Sequence, residues 1–131
     1  MLKMLQRYVS IVILLVLAVV SFGCASFGDN AYKAIGVTVA AVDAARGVYS
    51  DMYPLLLKEG KITAEQDAKI EAAYKTYQVA ARAAIAAVRV YQASVELKQD
   101  PSPDKVNTAL VQLQDAGTKF LVLLRSFGVI K

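Results

Sequence analysis

Apolar residues recur every three or four positions beyond residue 28, which is the spacing of one face of an α-helix. The first such stretch predicts a helix over residues 30–58, with Asp29 or Asn30 as its N-cap and Gly60 as its left-handed stop. Its apolar positions are Ile35, Thr38, Val42, Ala45, Tyr49, Met52 and Leu56. One face of this helix is therefore expected to be buried.

Pro54 lies inside that first helical stretch. Its ring removes one backbone hydrogen bond and crowds the carbonyl of Ser50. We therefore expect a kink or a break near Met52 or Tyr53. Such a bend would leave the Tyr53 ring at the end of the domain, where a partner could contact it.

The second stretch predicts a long helix over residues 63–99, because Thr63 and Gln66 form a capping box at its start. Two apolar stripes follow: the first is Ile70, Tyr74, Tyr77, Ala81, Ala84, Val88, Tyr91 and Val95, and the second is Val79, Ala83, Ala86, Val90, Ala93 and Leu97. Small residues stand between them at Ala73, Ala80, Ala87 and Ser94. An apolar arc of this width is expected of a helix packed against two others.

The third stretch predicts a helix over residues 103–127, with Ser102 as N-cap and Pro103 at its first position. Its stripe is Val106, Leu110, Leu113, Gly117, Phe120, Leu124 and Phe127. The short connections between the stretches favour antiparallel neighbours. We predict an all-α antiparallel three-helix bundle over residues 30–131, with a long central second helix. The alternative is an open hairpin or coiled coil completed by a second copy of the chain.

Residues 1–23 have the layout of a secretory signal peptide, with Lys3 and Arg7 ahead of an uncharged apolar run. The run ends in Ser21-Phe22-Gly23-Cys24, and this ending resembles the lipobox of bacterial lipoproteins. Gly23 and Cys24 match that pattern, whereas Ser21 stands where an aliphatic residue is usual and Phe22 where a small one is usual. The resemblance implies cleavage before Cys24, acylation of its thiol, and a tether over residues 24–29.

Two other interpretations of this segment stay open. The uncharged run from Tyr8 to Gly28 is long enough to form an uncleaved transmembrane helix, and Cys24 could instead be a free or buried thiol without a function. The two membrane interpretations both place the helical domain outside the cytoplasm. For an acylated chain we expect a cell-envelope protein that faces the periplasm, held by acyl chains in the outer membrane, since Ala25 replaces the aspartate of an inner-membrane retention signal.

The composition offers little catalytic chemistry. The chain has no histidine and a single cysteine, which excludes catalytic triads and Cys/His metal sites. Five carboxylates could in principle form an acid pair or a metal site, but a solvated helix face or a first-turn position accounts better for them: Asp43, Asp51, Glu65, Asp67 and Glu71. We expect no enzyme, no catalytic residue, no metal and no cofactor.

Basic residues at seven-residue intervals, Lys75, Arg82 and Arg89, mark one side of the second helix. They are candidates for an interaction surface together with Tyr53, although a charged row is more often simply solvated. The net charge of +4 includes Lys3 and Arg7 of the signal segment. The exported part is thus nearly balanced in charge, so nucleic-acid binding is not expected.

The chain ends in "GVIK". A terminal lysine on an acylated helical chain resembles the peptidoglycan-linked lipoprotein of enteric bacteria, and this resemblance implies Lys131 as a candidate attachment point. That family carries a tyrosine and a basic residue before its last lysine, where Val129 and Ile130 stand here. A terminal lysine without a function is the simpler interpretation.

Two classes of function agree with these patterns. The first is a structural or interaction lipoprotein of the envelope, which binds an envelope protein or self-associates. The second is a helical module that holds a lipid or small apolar ligand near Tyr49, Tyr74 and Tyr77. A filled core with an exposed apolar patch would favour the first class, and an internal cavity would favour the second.

Overall fold

The computed structural model describes residues 26–131, and these residues form three helices without a strand: α1 (Phe27–Lys58), α2 (Ala64–Glu96) and α3 (Asp104–Ser126). Every pair of helices is in contact, and the α2–α3 interface is the most extensive. The contacts of α1 with α2 run in opposite chain directions, from Phe27 against Tyr91 to Tyr49 against Asp67. The predicted all-α three-helix bundle is confirmed, with α2 as its longest helix.

The start of α2 matches the sequence prediction, and the other two helix starts differ from it. Thr63 accepts a hydrogen bond from the Gln66 N–H at 3.1 Å, and the Gln66 side chain accepts one from the Thr63 N–H at 2.9 Å. In α1 the N-cap is Ser26, whose hydroxyl accepts from the Asp29 N–H at 3.2 Å, so the helix begins before the predicted residue 30. In α3 the N-cap is Pro103, and Ser102 still accepts from the Asp104 N–H.

The three helices end in the same type of turn. At the end of α1 the Lys61 N–H donates to the Leu56 carbonyl at 2.9 Å, while Gly60 adopts φ +67°. The corresponding bonds join Gln99 to Ser94 at 3.0 Å and Val129 to Leu124 at 2.9 Å. A left-handed residue followed by this backbone bond defines the Schellman motif.

Lys98 is the left-handed residue at the end of α2, with φ 56°. A side chain at positive φ is less favourable than glycine, so this turn rests on its backbone bonds. The turn stops α2 at Glu96, which is shorter than the predicted end near residue 99. Gly128 takes the same place after α3, which ends at Ser126 and close to the predicted residue 127.

The core runs along the bundle axis and contains most of the predicted stripe residues of all three helices. Phe120, Leu113 and Leu124 of α3 are completely buried, as are Ile70, Ala84 and Val88 of α2. Gly117 is buried opposite α1, and a β-carbon at this position would lie 3.2 Å from Val42 Cγ2. Small residues at such positions let the helices approach closely.

Of the kink or break predicted near Met52 or Tyr53, the break is wrong, since α1 continues through Pro54 to Lys58. Pro54 is exposed and lies near the end of α1, so it disturbs few helical bonds, and the buried side chains of Leu56 and Ile62 hold the last turn against the core. Tyr53 is half-buried, with its ring centroid 5.7 Å from that of Tyr49.

The signal peptide, the lipobox and Cys24 lie outside the described residues. Within residues 26–131, no helix combines the length and the hydropathy that crossing a membrane requires. Cys24 and all but the last three residues of the uncharged run from Tyr8 to Gly28 precede the described residues, so both forms of membrane attachment stay predictions.

Candidate interaction surface

The second apolar stripe of α2 faces solvent. We call Val79, Ala83, Ala86, Val90, Ala93 and Leu97 the α2 stripe; its last member is the C-cap residue of the helix. All six residues are exposed, with Val79 and Val90 at 66% and Leu97 at 71%. The expectation that this stripe packs against another helix of the bundle is therefore wrong.

The packing of α1 and α3 explains why the α2 stripe is left uncovered. Both helices pack over the first stripe of α2, which includes the buried residues Ile70, Tyr77, Ala84 and Val88. Ala73, Ala80 and Ala87 are only half-buried at the edge of this core. These small residues permit close packing. Helices α1 and α3 therefore cover a smaller part of the circumference of α2 than its apolar pattern predicted.

Helix α1 also carries an exposed stripe, which is not among the predicted surfaces. We call Val37, Ala41, Ala44, Val48, Asp51 and Leu55 the α1 stripe. All six residues are exposed, including Val37 at 63% and Leu55 at 53%. The intervals between them are four, three, four, three and four residues, and the α2 stripe has the same intervals. This shared spacing was the signal in the sequence that could have revealed the α1 stripe.

The basic row Lys75, Arg82 and Arg89 is exposed, as predicted. Arg82 lies three residues after Val79 and four before Ala86, so it is a surface neighbour of both. Among the described residues, no ion pair involves any of the three basic side chains. The α2 stripe is thus an uncharged apolar strip with positive charge along one edge.

The carboxylates that the sequence singled out lie in different surroundings. Arg46 Nη2 is 2.7 Å from Glu71 Oε1, the Tyr49 hydroxyl donates to Asp67, and the Tyr74 hydroxyl donates to Asp43 at 3.3 Å. These three contacts join α1 to α2. The other two carboxylates, Asp51 and Glu65, are exposed. Within the part of the chain that the structure describes, no three residues of the metal-binding types are grouped as a metal site would require.

Arg46 also lies over two aromatic rings, 5.5 Å from the ring centroid of Tyr49 and 5.2 Å from that of Tyr74. At these distances the guanidinium is attracted to the negative face of each ring. Burial raises the pKa of the Tyr49 hydroxyl, and the hydrogen bond to Asp67 raises it further. Burial and the nearby charge of Asp43 raise the pKa of Tyr77 to about 12. These tyrosines stay neutral and act as structural contacts between helices.

A cleft of about 280 Å³ opens at the end of the bundle where α1 begins; its walls are Ser26, Phe27, Gly28, Tyr91, Gln92, Val95 and Glu96. Phe27 and Tyr91 meet edge to face, with ring centroids 5.0 Å apart. The tyrosines predicted for a ligand cavity lie elsewhere: Tyr49 and Tyr77 are buried in the core, and Tyr74 packs 5.4 Å from Phe120. Lys131 is exposed at the C-terminus.

Residues 26–131 therefore form an antiparallel three-helix bundle that exposes two apolar stripes of equal spacing. Comparison of the chain with protein-family models, with curated proteins and with solved structures finds no match.

Proposed function

We propose that this protein is a small exported lipoprotein of the bacterial cell envelope, held in a membrane by acyl chains on Cys24, and that its bundle binds other proteins. The α2 stripe is the observation that supports the binding role. It exposes Val79, Val90 and Leu97 in one line on a rigid helix. A contiguous row of exposed apolar side chains is typical of an interaction site, whereas single exposed apolar residues are common on any protein surface.

The residue types of the α2 stripe favour a helical partner. Its alanines present almost no side-chain bulk, so they gain contact area only when another backbone comes close. The spacing of alternating three and four residues is that of a helix–helix seam. A lipid surface favours large side chains such as Trp, Phe and Leu on the apolar face of a helix, and only Leu97 in this stripe is of that kind.

The membrane anchor is supported by the sequence alone. Cys24 follows a basic segment and an apolar run, and it is the only cysteine of the chain. Acyl chains contribute about 0.8 kcal/mol for each buried CH₂, so two or three of them anchor a protein firmly. The bundle would then face the periplasm, from the outer membrane rather than the inner one.

The anchor is tested by replacing Cys24 with Ser and following a labelled fatty acid together with the size of the precursor. The lipoprotein proposal expects loss of both labelling and cleavage, while a control Ser26→Ala variant keeps both. Label that persists in the Cys24→Ser variant contradicts acylation at this residue. A native chain that is never cleaved but stays in the membrane supports the uncleaved transmembrane helix.

The binding role is tested by placing a photo-crosslinking residue at Val79 or Val90 in living cells. Matched controls carry it at Gln114 or Thr118, which are exposed positions of α3 outside both stripes. We expect crosslinked protein from the two α2 positions and much less from the α3 positions. If the α2 positions capture nothing, the proposed binding role is wrong.

Binding of a lipid or small apolar ligand is the second candidate function, and the cleft beside Phe27 and Tyr91 is the observation that favours it. A ligand in this cleft would raise the melting temperature of the native chain, and Phe27→Ala would abolish the increase. An equal increase in both chains would place the ligand elsewhere.

A further inference from the structure

The two exposed stripes match each other in spacing, and they carry the same residue type at five of their six positions. The α1 stripe reads Val, Ala, Ala, Val, Asp, Leu, and the α2 stripe reads Val, Ala, Ala, Val, Ala, Leu, at the same intervals. We infer that the α1 stripe of one copy of this protein packs antiparallel on the α2 stripe of a second copy. This inference rests on the proposed role of the α2 stripe as a protein-binding surface.

The antiparallel register follows from laying the two stripes against each other in opposite chain directions. Ala44 then faces the second copy's Val90, and Val48 faces its Ala86, so a small residue meets a larger one in both central layers. Alanine at these layers allows the two helices to approach closely, and valine fills the space that remains. Each of the six residues of the α1 stripe then faces one residue of the α2 stripe.

Charge favours this orientation. Asp51 is the only charged residue in either stripe, it is exposed, and no ion pair within residues 26–131 involves it. The antiparallel register places Asp51 opposite the second copy's Ala83, beside the exposed Arg82. In a parallel register Asp51 would face Ala93 between Arg89 and Glu96, whose opposite charges offset each other.

Asp51 also argues against an anionic lipid surface as the occupant of the α1 stripe. A carboxylate within the α1 stripe would be repelled by negative headgroups and would be costly to bury without a cation. The basic row beside the α2 stripe supplies that cation when a second copy is the occupant. Each copy offers one α1 stripe and one α2 stripe, so two copies can close as a two-fold dimer with both contacts, and head-to-tail addition gives a larger ring or an open chain.

The first experiment exchanges the two charges in the full-length chain in its membrane. Copies with two different tags are joined by an amine-reactive crosslinker, and the yield of mixed-tag product is measured. Asp51→Arg alone and Arg82→Asp alone each bring like charges together, and each should lower the yield at least about tenfold. The double variant restores opposite charges at every contact and should return most of the yield. Failure of the double variant to recover contradicts the pairing of Asp51 with Arg82.

The second experiment tests the register with cysteine pairs. One tagged copy carries Val48→Cys and the other Ala86→Cys, because these positions face each other in the inferred contact. The native chain, with Cys24 alone, gives the background, and Val48→Cys paired with Val111→Cys is the matched control, since Val111 is exposed on α3. We expect a mixed disulfide for the first pair only.

The outcomes separate this inference from the proposed function. If Ala86→Cys copies link to each other and never to Val48→Cys, the contact is a symmetric α2–α2 pairing and the inferred α1–α2 contact is wrong. If photo-crosslinks from Val79 reach other proteins but no second copy, self-association is wrong and the binding role stands. If Val79 and Val90 capture nothing, both fail.

Discussion

Arg46 makes more of the described contacts between α1 and α2 than any other charged side chain. Toward α2 it pairs with Glu71 and lies over the ring of Tyr74. Within α1 it lies over the ring of Tyr49 and donates to the Ser50 hydroxyl at 3.0 Å. A lysine could keep the ion pair but would lose the planar group that spreads over two rings. The polar side of the α1–α2 interface therefore depends on the identity of this residue as well as on its charge.

The tyrosines of this interface predict a loss of stability in alkaline solution. The pKa of Tyr77 rises from 10.0 to about 12 in the folded chain, and the pKa of Tyr49 is raised as well. Below pH 10.0 the tyrosines are protonated in both states, so their contribution to the free energy of unfolding is constant. Above pH 10.0 the unfolded chain releases these protons while the folded chain keeps them, so the free energy of unfolding falls toward about pH 12. Urea unfolding at a series of pH values measures this fall.

Variants assign the alkaline loss to particular hydroxyls. Tyr77→Phe should reduce the slope between pH 10.0 and about pH 12 because it removes one of the titrating groups. Val111→Ala, which changes an exposed side chain of α3 without removing a titratable group, is the control and should keep the slope. A free energy of unfolding that stays constant across this interval would contradict the assignment.

Replacing either of two helical glycines with alanine should change the free energy of unfolding, in opposite directions at the two positions. Nothing lies within 4 Å of the β-carbon position at Gly47, so Gly47→Ala should raise the free energy of unfolding by about 0.5–1 kcal/mol through helix propensity. At Gly117 the added atom would lie 3.2 Å from Val42 Cγ2 and 3.3 Å from Thr38 Cγ2. Because Val42 is buried, we expect Gly117→Ala to lower stability by about 1 kcal/mol.

The two alanine variants control for each other, since both gain the same helix propensity. Chemical unfolding midpoints and slopes for both variants give the comparison. Equal stabilisation by Gly47→Ala and Gly117→Ala would show that α1 and α3 pack less closely at Gly117 than the structure describes.

At the scale of the helices, Pro54 is the clearest conflict between local sequence and fold. The helix α1 passes through it, so the Ser50 carbonyl lacks its usual donor from residue 54. Pro54→Ala restores an N–H at this position and should raise the free energy of unfolding by about 1–3 kcal/mol. The exposed neighbour variant Leu57→Ala is the control and should change it much less. Equal unfolding midpoints for Pro54→Ala and the native chain would contradict the predicted stabilisation.

The sequence predicted the helices well because capping and apolar spacing are local properties. Thr63 with Gln66 marked the start of α2, and Gly60 marked the end of α1. It predicted the end of α2 less well, since nothing in the residue type of Lys98 announces a left-handed conformation. The continuity of α1 through Pro54 was also missed, because tertiary contacts of Leu56 and Ile62 hold the last turn in place.

The candidate surface was predicted only in part. The α2 stripe was recognised as apolar, but apolar spacing cannot tell whether a face is covered by the same chain or by another molecule. The α2 stripe stays uncovered because small residues at the edge of the core let both neighbouring helices fit beside the first stripe. These small residues are Ala73, Ala80 and Ala87. The α1 stripe was missed for a related reason: alanine at Ala41 and Ala44 is as common on solvated helix faces as in seams.

At the scale of the whole molecule, the residues that form the core of the bundle are different from the apolar residues that it exposes to a partner. The first stripes of α1 and α2 and the stripe of α3 form one core. The exposed stripes repeat the same spacing on outer faces, so a partner helix can add to the bundle without rearranging the core. Such a division lets a small domain keep its stability whether or not its partner is present.

That division predicts that the exposed stripe can be made polar without loss of the fold. Serine and valine have similar helix propensities, and Val79 and Val90 are 66% exposed. The double variant Val79→Ser with Val90→Ser should therefore keep the free energy of unfolding within about 0.5 kcal/mol of the native value. Its crosslinking to partners should fall strongly, because the same change removes the apolar contact area.

The matched control for this variant lies on the same helix. Val88 is completely buried, and Val88→Ala should lower the free energy of unfolding by about 1–3 kcal/mol while leaving the exposed stripe intact. Circular dichroism during urea unfolding measures the stability of both variants, and crosslinking in cells measures their binding. Unfolding of the Val79→Ser, Val90→Ser chain would mean that these side chains support the fold. Undiminished crosslinking by the folded double variant would mean that the partner binds another surface.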